Sequence, residues 1–289
     1  MRFRYPPTLL ANLAVSCFFA VLGSLPTAAQ APPAPVLDHF RCYTVLLGHD
    51  PDDAQVQLQD QFDLRLGITE RVWVGGPVRF CNPVEKTVQG RRDELIVTPI
   101  DDPNAHLTMY RIAEQTVLPP VSWRVQVRNQ FGRQRLEVDQ PHILALPTHK
   151  VEGDLDFPED LDHFKCYRAE GRRIRRLARL ADQFETAIVG VLEPRLFCNP
   201  TRKIDAAGVA TGVQNAAGHL TCYDIVLAAP TGTTVVEDLV IDNQFTGSST
   251  GDLEVVTDED LLCVPSRKVS FKQNRRGGDD DDDDEDDDD

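Results

Sequence analysis

The sequence predicts an all-β protein: two tandem homologous antiparallel β domains, sandwich or partly open barrel, each made of two pseudo-symmetric, disulfide-stapled halves. Three observations carry that reading. First, Leu37-Asp38-His39-Phe40-Arg41-Cys42-Tyr43 returns almost unchanged as Leu161-Asp162-His163-Phe164-Lys165-Cys166-Tyr167, and looser echoes stand at His106-Leu107-Thr108-Met109-Tyr110 and His219-Leu220-Thr221-Cys222-Tyr223. Second, each copy is followed by a Gln-Phe pair (Gln61-Phe62, Gln130-Phe131, Gln183-Phe184, Gln244-Phe245) and then by a closing Cys-x-Pro-x-x-Lys or its remnant, at Cys81 to Lys86, Ala145 to Lys150, Cys198 to Lys203 and Cys263 to Lys268. Third, apolar residues alternate with period two, as in Val72 and Val74, Val125 and Val127, and Leu136 and Val138, while helical periodicity is nowhere sustained.

Taken in order, residues 1–29 have the charged, apolar, small-residue sequence of a cleaved signal peptide: Arg2 and Arg4, a run from Leu9 to Leu22, then Thr27, Ala28 and Ala29. That run is too short for a membrane span, and no span is expected in the mature chain. Residues 30–36 form a Pro/Ala spacer. The first β repeat covers residues 37–150 and is broken by Gly75-Gly76-Pro77, Asp101-Asp102-Pro103-Asn104 and Pro119-Pro120, which read as turns between short strands. An acidic linker follows over residues 151–160, then the second β repeat over residues 161–271. The stretch from Arg172 to Leu180 resembles a basic amphipathic helix in isolation. Its counterpart in the first repeat, Ala54 to Gln59, alternates, so a basic strand is expected there. Residues 272–289 end in an acidic tail that is too charged to bury apolar surface and is expected to be disordered.

Export would let disulfides persist. Cys17 leaves with the signal, and six cysteines remain. In the second quarter the opening cysteine is replaced by Met109 and the closing one by Ala145, so both members of one set are missing together. Pairing opener with closer therefore strands no thiol: Cys42 with Cys81, Cys166 with Cys198, and Cys222 with Cys263. Each bridge is worth up to about 4 kcal/mol through the chain entropy it removes. The tight Cys-x-x-Cys spacing of a zinc site is absent.

The net charge of −16 is concentrated at one end, since residues 279–289 are all acidic and removing those eleven charges leaves −5. Export and the acidic balance argue against nucleic acid as a partner. The four histidines His39, His106, His163 and His219 hold one motif position, which points to the shared fold rather than to catalysis, because a catalytic site needs unlike groups converging once. No nucleophile elbow, zinc helix, phosphate loop or dinucleotide fingerprint occurs, and no cofactor is expected. Function is better sought where the repeats differ. Trp73 and Trp123 lack counterparts in the second repeat; each suits a core position, or an aromatic platform for a sugar. Arg168, Arg172, Arg173, Arg175, Arg176 and Arg179 form a basic stretch compatible with an anionic polysaccharide or another cell-surface component, and equally with a charged edge that resists aggregation. The tail and the linker acids Asp154, Asp156 and Asp160 are compatible with weak Ca²⁺ binding, without a loop of defined geometry.

The signatures Leu161-Asp162-His163-Phe164-Lys165-Cys166-Tyr167, Asp182-Gln183-Phe184 and Phe197-Cys198-Asn199-Pro200-Thr201-Arg202-Lys203 resemble an uncharacterised family of exported bacterial repeat domains. The resemblance implies secretion to the periplasm or cell exterior, and it supplies no active site. The leading expectation is a secreted, non-enzymatic β repeat protein with a binding or surface-structural role. The alternatives are a secreted polysaccharide-acting hydrolase, which needs paired carboxylates across a cleft, and a calcium-dependent adhesin.

Overall fold

The computed structural model describes residues 37–51, 54–90, 93–114, 121–151, 158, 160–228, 236–247 and 251–274. The expected signal peptide and spacer, Asp154, Asp156 and the tail acids 279–289 lie outside the described residues. The described residues belong to one compact unit.

The alternating segments become strands, as their period requires: β1 (Phe40–Leu47), β2 (Gln55–Gln59), β3 (Glu70–Pro83), β4 (Glu85–Gln89), β5 (Leu95–Thr98), β6 (His106–Glu114), β7 (Trp123–Asn129) and β8 (Gly132–Lys150) in the first repeat. The second repeat supplies β9 (Phe164–Gly171), β10 (Arg176–Ala181), β11 (Thr186–Pro200), β12 (Arg202–Ile204), β13 (Ala210–Thr211), β14 (His219–Leu227), β15 (Val236–Asp242) and β16 (Asp252–Gln273). The basic stretch thus contains a strand, β10, as its counterpart β2 implied. One short helix, α1 (Gln61–Leu66), interrupts the pattern. It forms because Asp60 caps the amides of Phe62 and Asp63 while Asp63 reaches back to the Asp60 amide, a capping box closed at the other end by left-handed Gly67.

Eight strands close a barrel. In chain order β1, β3, β6, β8, β9, β11, β14 and β16 each pair antiparallel with the next, and β16 pairs with β1. Its register is fourfold regular. Within each quarter the two cysteine slots face each other: Cys42 with Cys81, Met109 with Ala145, Cys166 with Cys198, Cys222 with Cys263. At each boundary between quarters the register steps by two residues, so that Cys81 faces Leu107, Ala145 faces Phe164, Cys198 faces Leu220 and Cys263 faces Phe40. Equal steps of this kind are the stagger that tilts strands and closes a sheet.

Eight strands leave an interior that side chains can fill. Here the filling is Phe40, Leu107, Met109, Ile143, Phe164, Leu196, Leu220 and Leu261 around the disulfides Cys42–Cys81, Cys166–Cys198 and Cys222–Cys263, whose Cα atoms lie 4.0, 4.0 and 3.8 Å apart. All three expected pairings are present, and the fully buried Met109 and Ala145 occupy the fourth position.

The expected division into two domains with separate cores is not what forms. The central cluster draws on all four quarters. The long strands β3, β8, β11 and β16 leave the barrel to form outer hairpins with β2, β7, β10 and β15, with register breaks beside Pro77, Pro141 and Pro194 in the first three. The chain after each closing slot then crosses to the hairpin of the quarter two places on: β4 to β10, the end of β8 to β15, β12 to β2, and the end of β16 to β7. One repeat provides only four barrel strands with two open edges. Each needs the other to satisfy its backbone and cover its apolar faces.

Candidate functional site

The repeated polar residues explain themselves first. Each Gln-Phe pair is preceded by Asp or Asn, and that side chain turns the chain by accepting the phenylalanine amide: Asp60 from Phe62 at 2.8 Å, and Asn129, Asp182 and Asn243 from Phe131, Phe184 and Phe245 at 2.9 Å. The same side chain meets the tyrosine hydroxyl of the quarter two places on. Tyr167 donates to Asp60 at 2.8 Å and Tyr43 to Asp182 at 2.7 Å, while Asn129 and Asn243 donate to Tyr223 at 2.8 Å and Tyr110 at 3.0 Å. Each phenylalanine stands edge-on to that same tyrosine, with ring centroids 5.0 to 5.3 Å apart.

Where the turn residue is Asp, the residue before the partner cysteine slot is a buried cation; where it is Asn, that residue is Thr. Arg41 pairs with Asp182 and Glu185, and Lys165 with Asp63 (2.9 Å) and Glu70 beside Asp60. Thr108 and Thr221 are the neutral equivalents. Burial works against the Lys165 charge, but three carboxylates outweigh it and hold it above the ordinary lysine value. Those acids share one ammonium, so burial and the Asp60 charge push Asp63 up to about 7.

The four histidines occupy equivalent places in the four quarters. Burial first, then the lysine closing the same quarter, holds His39 and His163 down at about 3 and His106 and His219 at about 4. His39 Nε2 lies 2.9 Å from both Lys86 Nζ and Gln130 Nε2. Three of the closing lysines lie over phenylalanines of the next quarter: Lys86 over Phe131, Lys150 over Phe184 and Lys268 over Phe62, at 5.7, 5.4 and 4.8 Å. Each imidazole is largely buried and feels the lysine that closes its own quarter.

The ends of the barrel differ in charge. At the end where the His motifs lie, a cavity of about 270 Å³ is lined by Asp38, Asp101, Asp102, Asp160 and Asp162. Asp38 and Asp162 are structural, each taking two backbone amides of a neighbouring loop at 2.7 to 2.8 Å. Among the described residues no group of three or more His, Cys, Asp or Glu is arranged to hold a metal ion.

The opposite mouth gathers five arginines, Arg79, Arg111, Arg168, Arg173 and Arg195, among the carboxylates Asp50, Glu170, Glu193 and Asp224. Counting two residues outward from each cysteine slot, strand alternation puts Thr44 and Arg79, Arg111, Arg168 and Asp224 on the inward face at this rim. They line two cavities of about 720 and 750 Å³ that share Arg79, His142 and Arg168, so the mouth is one continuous cleft, with Arg173 and Arg195 at one side and Asp50 and Pro77 at the other. Asp260 grips Arg79 through both oxygens (2.8 and 2.6 Å), Glu193 lies 3.2 Å from Arg173, and Asp224 lies 3.9 Å from Arg195. Among the described residues no carboxylate pairs with Arg111 or Arg168. His142 sits between these cations; burial first, and then Arg168, Arg79 and Arg195, hold it down at about 4. Its Nδ1 is enclosed without a hydrogen-bond partner.

Of the arginines singled out in the sequence, Arg168 and Arg173 reach this cleft. Arg176 and Arg179 are on β10, where Arg179 faces Glu85 at 3.7 Å, and Arg175 immediately precedes that strand with φ of 55°. The Arg172 carbonyl accepts from Gln134. Trp123 is buried and stacked on Phe62 at 4.6 Å, which leaves no face for a sugar, whereas Trp73 is 39% exposed on the outside of β3. Asp160 lines the acidic end. Arg79, Arg111, Arg195, His142 and Asp224 were missed. Alternation outward from the cysteine slots would have found Arg79, Arg111 and Asp224.

Fold and cleft together define a class: a closed antiparallel barrel built of repeats and plugged by disulfides, with a cleft at one rim. Residues 106–235 match the family model described as a repeat of unknown function (DUF7450). That match covers the second and third quarters and runs past the opening strand of the fourth, so it spans the boundary at which the sequence had been divided. No curated protein and no solved structure matches the chain. Among the described residues, no helix is long and apolar enough to cross a membrane.

Proposed function

We propose that the chain is a non-enzymatic binding module, exported to an oxidising compartment, whose basic mouth holds an anionic ligand of the cell surface, an acidic polysaccharide in the first instance. One observation carries the reading: Arg111 and Arg168 face a shared cleft without carboxylate partners among the described residues, in a protein of net charge −16. General basicity therefore does not account for the cluster. Guanidinium forks match carboxylates and sulfates in geometry, and a cleft concentrates their field. The recurring His, Tyr, Lys and Asx residues are engaged in holding the barrel, which supports a role without catalysis.

The test is retention of the full chain on an immobilised acidic polysaccharide as salt is raised, with the soluble polymer assayed for chain cleavage after long incubation. Retention at low salt that fades as salt rises, with the polymer left intact, is the expected result. Passage through the column at low salt, or release of new chain ends, would overturn the proposal.

A further inference from the structure

The basic mouth is not uniformly basic, and the pattern of its charges limits what it can hold. Arg79 is neutralised by a two-point grip from Asp260, Arg173 lies beside Glu193, and Arg195 lies near Asp224. Asp50 lines the far side. A polyanion charged along its whole backbone, as polyphosphate is, would have to lay some of its anionic groups against Asp50, Glu170, Glu193 or Asp224, and like charges in contact repel. Two guanidiniums, Arg111 and Arg168, remain for anions, while the carboxylates and the His142 ring are hydrogen-bond acceptors. Acceptors beside cations suit a ligand that brings hydroxyl donors along with sparse carboxylates. The two joined cavities give it room to lie across the mouth.

From this juxtaposition we infer that the mouth selects a uronate-type sugar chain, with carboxylates on Arg111 and Arg168 and hydroxyls donated to His142, Asp224 and Glu193. The inference rests on the binding role proposed above and adds its selectivity. It separates carboxylated sugars from polyphosphate, which has charge without hydroxyls, and from neutral glycans, which have hydroxyls without charge.

Calorimetric titration of the full chain with three probes at one ionic strength tests it: oligogalacturonate, the same oligomer with its carboxyls reduced to alcohols, and inorganic polyphosphate. Oligogalacturonate should bind, with the reduced oligomer and polyphosphate each weaker by at least about tenfold, the cost of leaving charged hydrogen-bonding groups unmatched. Asp224→Asn should lower oligogalacturonate affinity and raise that for polyphosphate, and Glu193→Gln serves as a second variant should the first fail to fold. Polyphosphate binding as tightly as the uronate, or Asp224→Asn affecting both in the same direction, would overturn the selectivity and leave the binding role standing. Failure of all three probes to bind would remove both.

Discussion

Replacing Met109 and Ala145 by cysteine should install a fourth disulfide. The two residues face each other in the register that the three natural bridges use, and both are fully buried in the barrel interior. Closing a loop of about 36 residues is worth at most about 4 kcal/mol in the chain-entropy model. Against that stands the loss of roughly two carbons of buried methionine, about 1.6 kcal/mol, offset in part by the sulfur added at position 145. A net gain of about 2 kcal/mol remains, which for a domain of this size raises the unfolding midpoint by about 4 to 8 °C. The assay is thermal unfolding by circular dichroism without reductant, together with a count of free thiols in the folded, oxidised protein. Free thiols at positions 109 and 145, or cross-links that join them to other quarters, would refute the fourfold register.

Two further outcomes follow from buried groups. Arg41→Thr leaves the buried Asp182 without its cation and should cost about 3 to 5 kcal/mol; adding Asp182→Asn recreates the Thr and Asn pairing of the even quarters and should recover at least about 1 kcal/mol of it by denaturant unfolding, whereas additive losses would contradict the equivalence of the quarters. Glu254 is pushed up to about 8 from 4.5 by burial, with Asp252 adding to it. Below about pH 4.5 it is protonated in both folded and unfolded states; as pH climbs to 8 only the unfolded chain ionises, so the folded state loses stability. Glu254→Gln should therefore be the more stable form at pH 8, by about 4 kcal/mol, with the gap closing toward pH 4. A pH-independent difference would show that the carboxyl is not held neutral.

The strands and the cysteine pairs were legible because each is a local pattern repeated: alternation within a few residues, and an opener and closer lost together at Met109 and Ala145. Closure of the ring was not, because it depends on contacts that no single repeat contains. The acidic stretch at 151–160 reads as a linker, yet β8 and β9 on either side of it pair directly, Ala145 opposite Phe164. The diagonal bond from Asp182 to Tyr43 spans 139 residues and has no signature except the Asp or Asn that precedes each Gln-Phe. The cleft was half visible for the same reason. Arg168 and Arg173 stand in one run, but Arg79, Arg111 and Arg195 come from other strands and meet only once the register places them at one rim. The arginine run drew attention by local density, although Arg176 and Arg179 point their charge elsewhere.

The most direct test of the account compares two double variants for binding to the same acidic polysaccharide. Arg111→Ala with Arg168→Ala removes the unpaired guanidiniums of the mouth, while Arg176→Ala with Arg179→Ala removes two charges from the outer strand β10. If the mouth is the site, the first pair abolishes binding, by at least about a hundredfold for two charge-assisted contacts, and the second leaves it within about twofold. Equal losses from both pairs would mean that total charge governs binding and that the mouth is not a site.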